Sequence, residues 1–251
     1  LPETAVELIE TDVGGGFGAR GELYPEDYLV PIASRRAGCP VKWIEDRREN
    51  LTATNHSRDI VCDVEIAATE DGRILGMRAT VQGDMGAYIR TNGGVVPSKA
   101  VQFLPGPYRV PDFSCDVQFL ITNKTPVGTF RGPGRFEANF CRERLLDMMA
   151  ADLGIDPAEL RHRNLMEPAD LPYRIGELVP GDPDATFDRG NYPSALNRLL
   201  DEAGYDDWKD RQGDIIDGRA HGLGIACFIE SSAAGPPESA TITIRPDGRT
   251  E

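Results

Sequence analysis

The chain has 251 residues, 40% of them hydrophobic and 27% charged, enough apolar material for one large domain or two ordinary ones. Its 41 acidic against 27 basic residues leave a net charge of −14, without the basic face that nucleic acid or an anionic membrane surface requires. No apolar run is long enough to span a bilayer and no basic, then apolar, leader is visible; the ends, Leu1 and Glu251, read as cut.

In chain order, residues 5–9 predict a short strand running into Asp12-Val13-Gly14-Gly15-Gly16-Phe17-Gly18. A helix follows from Pro25 towards Gly38, with Pro31 placed to kink it. Residues 41–44 predict a second strand, and the mixed charges of 45–49 a solvated surface segment. Cys62, Val64 and Ile66 alternate with Asp63 and Glu65. Asp71-Gly72 makes a turn, and Leu75, Met77, Ala79 and Val81 form the returning phase of a hairpin. Residues 93–107, punctuated by Gly and Pro, read as irregular. Phe113, Cys115, Val117, Phe119 and Ile121 then give the clearest strand alternation.

That strand leads into Thr125-Pro126-Val127-Gly128-Thr129-Phe130-Arg131-Gly132-Pro133-Gly134-Arg135, a second Gly/Pro-rich loop. An amphipathic helix is predicted over 136–153, with Cys141, Leu145, Met148 and Met149 on its apolar face, Arg142, Glu143 and Asp147 on its polar face, and Gly154 as its stop. Asp156, Pro157 and Glu159 start another helix. Residues 166–190 read as a long loop, 193–203 as a helix, and 222–229 and 240–244 as strands of a further sheet. The division expected is 1–165, 166–218 and 219–251. The class is α+β (mixed α/β), with short strands, hairpins and long loops.

Five widely spaced cysteines with no C-x-x-C, and three scattered histidines, argue against zinc or an iron–sulfur cluster bound by this chain. Cys62 and Cys115 read as buried thiols in a reducing compartment. His56 reads as a hydrogen-bonded structural histidine, and Tyr173 as either an exposed loop residue or part of a substrate funnel.

The two glycine-rich loops carry the functional signal. Glycines leave main-chain N–H groups uncovered, so the 14–18 loop is either a tight turn needing positive φ or a cradle for an anionic or polar cofactor. In the second loop, Arg131 and Arg135 suit an oxo group, a phosphate or a carboxylate, though an arginine that ties down its own loop is the simpler reading of that loop alone. Both loops sit at the mouth of a predicted strand, where α/β sheets bind ligands. Neither G-x-G-x-x-G nor a phosphate-binding P-loop is present.

The segment Asp12-Val13-Gly14-Gly15-Gly16-Phe17-Gly18-Ala19-Arg20 resembles the cofactor loop of the molybdenum hydroxylases, the family of xanthine dehydrogenase, aldehyde oxidoreductase and aerobic carbon monoxide dehydrogenase. The resemblance continues in order through Val41-Lys42-Trp43-Ile44-Glu45-Asp46-Arg47-Arg48-Glu49, Gly106-Pro107-Tyr108-Arg109-Val110-Pro111 and Thr122-Asn123-Lys124-Thr125-Pro126. It closes with Phe130-Arg131-Gly132-Pro133-Gly134-Arg135-Phe136-Glu137-Ala138 and Asp152-Leu153-Gly154-Ile155-Asp156-Pro157.

The resemblance implies a piece of the large, molybdopterin-binding subunit of a cytoplasmic enzyme. Such an enzyme hydroxylates an aldehyde or N-heteroaromatic carbon with water-derived oxygen. It implies Mo-molybdopterin, as the cytosine dinucleotide in most bacterial members, with 2Fe–2S and FAD on partner subunits or domains and a parent that is a dimer of heterotrimers. Gly15, Gly16, Phe17 and Gly18 would line the cofactor, and Arg131 would supply a main-chain contact to the same centre from the opposite loop. Gly21, Lys99 and Pro133 stand where purine-oxidising members carry a glutamate, an arginine and a stacking phenylalanine. Gly132 stands where carbon monoxide dehydrogenase carries a copper-binding cysteine. These four positions therefore face a substrate that is neither xanthine nor carbon monoxide. The general-base glutamate is expected beyond Glu251, and Glu22, Glu26 and Glu137 do not fill its place. The rival expectation is a non-catalytic binding or structural module that keeps the glycine loops.

Overall fold

The computed structural model describes residues 2–9, 11–175, 186–230 and 239–249. Its elements in chain order are α1 (Pro25–Ala37), α2 (Arg47–Ala53), β1 (Ile60–Ala68), β2 (Ile74–Asp84), α3 (Val95–Phe103), β3 (Asp112–Leu120), α4 (Arg135–Leu153) and α5 (Pro157–Asn164). Beyond these lie β4 (Tyr173–Arg174), β5 (Thr186–Phe187), α6 (Tyr192–Ala203), α7 (Tyr205–Lys209), β6 (Ile215–Ile216) and β7 (Arg219–Ala220). This is the mixed α/β class with short sheets that the sequence predicts.

The central sheet has the order β1-β2-β3. The β1–β2 hairpin is antiparallel and turns through Gly72 at φ 82°, a conformation that glycine tolerates at little cost. β3 pairs parallel to β2, so the chain must cross over, and α3 makes that crossover. α3 occupies the stretch expected to be irregular. Pro97 falls in its first turn, where a missing N–H costs nothing, and Val96, Pro97, Ala100, Val101 and Phe103 are buried. In β2 the register shifts opposite Ala67 and Ala68, so Ile74 replaces Leu75 on the inner face and Leu75 turns outward. In β3 the alternation holds through Phe113, Cys115 and Val117 and is lost at Phe119 and Ile121, which are exposed.

α4 packs on β1, α3 and α5 and supplies the core residues Ala138, Leu146 and Ala150. Leu146, Leu160 and Leu165 are fully buried, each contributing about 2 kcal/mol of transfer free energy. The expected polar face of α4 is corrected, because Arg142 and Glu143 are buried and Met148 is exposed. The two charges compensate each other. Glu143 accepts from Arg142 Nε at 2.8 Å, Arg161 Nε at 3.0 Å, the Tyr108 hydroxyl at 3.1 Å and the Cys227 N–H at 3.1 Å. Arg142 also donates to the carbonyl of Cys227 at 2.6 Å, and Arg161 to that of Ile225 at 2.9 Å. Residues 221–230, which include the strand predicted at 222–229, show alternating burial but have no ladder partner among the described residues. Side chains of α4 and α5 hold them instead. Among the described residues no strand is formed at 240–244 either.

The N-terminal stretch departs further from expectation. Residues 5–9 and 41–44 are not strands, and their apolar side chains (Val6, Leu8, Ile9, Trp43, Ile44) are exposed. A strand exists only against a neighbour, and no described strand runs beside either segment. α1 forms as predicted, with Pro31 inside it and Gly38 at φ 67° ending it, but it buries no residue. The charged run is solvated, as expected, with residues 46–49 exposed, and it also opens α2 through a reciprocal capping box. Asp46 Oδ1 accepts from the Glu49 N–H at 2.7 Å, and Glu49 Oε2 from the Asp46 N–H at 2.9 Å.

All five cysteines are free thiols. Cys115 is half-buried, and burial pushes its thiol up to about 11. Interaction between the Cys62 and Cys141 thiols raises Cys62 and lowers Cys141.

Candidate cofactor site

The two glycine-rich loops, more than a hundred residues apart in sequence, meet directly. The Arg131 N–H donates to the Phe17 carbonyl at 2.8 Å, and the Thr129 hydroxyl to the Gly18 carbonyl at 3.1 Å. Phe17 is left-handed at φ 52°, which is uncommon for a large residue, and its ring is about half exposed. The ring lies over Gly15, where an added Cβ would come within 2.9 Å of it. Among the described residues, no acceptor takes the N–H of Gly14, Gly15, Gly16, Phe17 or Gly18. Consecutive unsatisfied N–H groups on a bare backbone form the kind of surface that receives oxo, phosphate or polar ring atoms. The first loop therefore fits a molybdopterin-type group.

Behind this loop is a polar framework that sequence reasoning missed. The Tyr24 hydroxyl donates to the Ala19 carbonyl at 2.7 Å and contacts Asn55 Oδ1, and burial pushes its ionisation up. Glu22 is paired with Arg90 Nε at 2.5 Å and accepts from the Asn92 N–H at 3.2 Å. It anchors this framework. Gly128 gives the framework room, since a Cβ there would fall 1.7 Å from Asn55 Nδ2.

The second loop is held by Arg58, another residue absent from the sequence-based expectation. Its guanidinium donates to the carbonyls of Arg131 at 2.7 Å, Phe130 at 3.1 Å and Gly132 at 3.4 Å, and to Glu137 Oε1 at 3.2 Å. No local pattern marks Arg58, which lies in a connection just before β1, more than seventy residues from its partners. Glu137 sits in the first turn of α4, as read from the sequence, and is buried. Arg131 joins the two loops. Its N–H is given to Phe17 rather than left open, and its guanidinium is exposed with no partner among the described residues.

The four substrate-side positions divide. Gly132, at φ 69°, faces the Phe136 ring, which a Cβ would approach to 2.7 Å. Pro133 is half-buried, and its carbonyl accepts from Arg135 at 3.1 Å. Lys99 lies on α3 directly under this loop, with its Nζ 2.6 Å from Gln102 Oε1. A Cβ on Gly134, at φ 76°, would meet the backbone of Lys99 and Ala100 at 2.4 to 2.6 Å. Gly21 belongs to the first loop, its N–H bonded to the Gly18 carbonyl at 3.0 Å. His56 serves through its main chain, bridging to the Pro126 carbonyl and the Gly128 N–H. Tyr173 is half-buried and donates to the Val110 carbonyl at 3.3 Å. The clefts of about 440 Å³ beside Asp147 and Tyr205, and about 790 Å³ beside Ile66 and Phe113, include none of the loop residues.

Residues 1–165 match the molybdopterin cofactor-binding domain family. The chain belongs to that family. It is 36% identical over 250 residues to the 6-hydroxypseudooxynicotine dehydrogenase complex subunit gamma of Paenarthrobacter nicotinovorans, covering 99% of this chain and 31% of that one. It is 35% identical over 249 residues to the carbon monoxide dehydrogenase large chain of Hydrogenophaga pseudoflava, covering 96% and 30%. Quinoline 2-oxidoreductase from Pseudomonas putida 86 superposes with a TM-score of 0.73 at 35% identity, over 80% of this chain and 25% of that one. The chain thus spans about a third of the length of the curated relatives it matches.

Proposed function

We propose that the full protein is the catalytic large subunit of a molybdenum hydroxylase acting on an N-heteroaromatic ring carbon. The observation that carries this reading is the row of unsatisfied N–H groups from Gly14 to Gly18, held open against the second loop by the Arg131–Phe17 bond. Mo-molybdopterin, in its cytosine dinucleotide form, would lie against these groups. When bound, it supplies transfer of water-derived oxygen to an electrophilic carbon and takes up two electrons. The chain's own part is to present donors that need no reorganisation, to orient the Phe17 ring, and to keep the second loop rigid. Iron–sulfur and FAD partners, in a dimer of heterotrimers, would take up those electrons.

Relatives named for a nicotine derivative and for quinoline support a nitrogen heterocycle over an aldehyde. Gly21, Lys99 and Pro133 lack the groups that clamp a purine. At Gly132, positive φ and the adjacent Phe136 ring disfavour the side chain that a copper-binding cysteine would need. The test is the full-length protein, assayed for molybdenum, pterin and released nucleotide, then for turnover on pyridine- and quinoline-type heterocycles, aldehydes, xanthine and carbon monoxide. Near-stoichiometric molybdenum with fastest turnover on heterocycles is expected. A preparation carrying neither metal nor pterin would establish the rival, non-catalytic module, and faster turnover on aldehydes would shift the substrate class.

A further inference from the structure

We propose that Arg58 is the positioning residue of this site, setting the orientation of both glycine-rich loops through a relay of main-chain bonds. The relay starts at a single planar group. The Arg58 guanidinium takes three successive carbonyls, Phe130, Arg131 and Gly132, at 3.1, 2.7 and 3.4 Å. With these carbonyls fixed on one side, the Arg131 N–H is delivered to the Phe17 carbonyl at 2.8 Å. That bond reaches the residue whose left-handed backbone shapes the open N–H row.

Three further features single out Arg58. It is itself left-handed, at φ 77°, and it and Phe17 are two of only three non-glycine residues with positive φ among those described. Such a conformation persists where the surroundings over-determine it. The guanidinium is also packed against aromatic rings, 4.4 Å from the centroid of Phe136 and 5.8 Å from that of Phe130. Its fourth hydrogen-bond partner is Glu137, whose other oxygen is buried, and among the described residues Arg58 alone answers that carboxylate. A lysine offers one point charge where this arrangement uses a planar fork, so charge alone does not substitute.

The inference rests on the proposed cofactor site for its catalytic meaning, but the relay itself can be tested without the cofactor. In the full-length protein, amide hydrogen exchange is measured residue by residue for the two loops. The Arg131 amide should exchange at least tenfold more slowly than that of Gly132, which has no acceptor among the described residues. Arg58→Lys, and Arg58→Met combined with Glu137→Gln to avoid a stranded charge, should raise exchange at Arg131 about tenfold or more. In loaded enzyme they should also lower kcat about tenfold while KM changes less than threefold, and should alter the molybdenum electron-spin resonance signal. Arg135→Lys, which alters contacts to Glu230, the Phe103 ring and the Pro133 carbonyl, should leave Arg131 exchange unchanged. Equal exchange at Arg131 and Gly132 in the unmodified protein would overturn the relay, as would unaltered exchange in folded Arg58 variants. Protein without molybdenum would defeat the cofactor reading and leave the exchange result to decide the relay.

Discussion

The two glycine-rich loops are built in opposite senses. In the first, main-chain carbonyls are engaged: Gly16 and Gly18 accept from Arg20 and Gly21, Gly18 also from Thr129, Phe17 from Arg131 and Ala19 from Tyr24. The N–H groups are what remains open. In the second, the Arg58 guanidinium draws the carbonyls inward, and the Arg131 N–H is spent on the first loop. One loop is the receiving surface and the other is its brace. Glycine content does not distinguish them. The distinction comes from which half of each peptide group already has a partner.

Four tests would break or sharpen that contrast. The largest effect is expected at Gly134, where the brace rests on α3. Gly134→Ala places a Cβ against fixed backbone at positive φ and should cost roughly 3 kcal/mol or more. Gly14→Ala, with open space around it, should cost about 1 kcal/mol at most. Thermal melting of the two variants side by side checks this, and equal losses would remove the asymmetry.

Next is the framework behind the receiving loop. Tyr24→Phe removes the hydroxyl that ties Ala19 to Asn55 and should cost about 1–2 kcal/mol by denaturant titration. An unchanged midpoint would mean that water replaces the hydroxyl. The two loop arginines come third. Arg135 pairs with Glu230 at 2.8 Å and lies 4.6 Å from the Phe103 ring, whereas the Arg131 guanidinium has no partner among the described residues. Arg135→Lys should therefore lower the melting temperature by the equivalent of about 1 kcal/mol, and Arg131→Lys by less than about 0.5 kcal/mol. The reverse order would restore the loop-tying role to Arg131.

The smallest effect is a pH dependence. Lys124, the Gly86 N–H and the Thr122 hydroxyl hold Asp84 down to about 2, below the usual carboxylate range. Because the folded-state value is the lower one, the stabilisation is complete above about pH 4 and is lost as pH falls towards 2. Melting temperature followed from pH 5 to 2 should fall less steeply in Asp84→Asn than in the unmodified protein.

The elements with local signals were legible. The β1–β2 hairpin, the β3 alternation, α5 with its Asp156 cap and α4 with its Gly154 stop are written in periodicity and turn chemistry. So were the identities of the two loops and their family resemblance. What escaped depends on partners distant in sequence. Arg142 and Glu143 carry the composition of a wet helix face, and their burial is made tolerable by each other and by partners that include Arg161, Tyr108, Cys227 and the carbonyls of Phe103 and Leu104. Arg58 is an unremarkable arginine until its carbonyl partners arrive. The apolar residues of 5–9 and 41–44 predict strands because propensity cannot reveal that no strand among the described residues runs beside them. The Asp46–Glu49 capping box was readable but was outweighed by the charge run around it.

The grip of α4 and α5 on the extended segment around Ile225 and Cys227 also bears on how this region can change over evolutionary time. Arg142 and Arg161 hold main-chain carbonyls, and Glu143 holds a main-chain N–H. Such recognition is indifferent to which side chains positions 225 and 227 carry, provided they fit. The information that docks this segment is stored outside it, in three helix residues. Drift within the segment should be tolerated, whereas a single charge lost from either helix would release a stretch of chain whose own sequence had not changed.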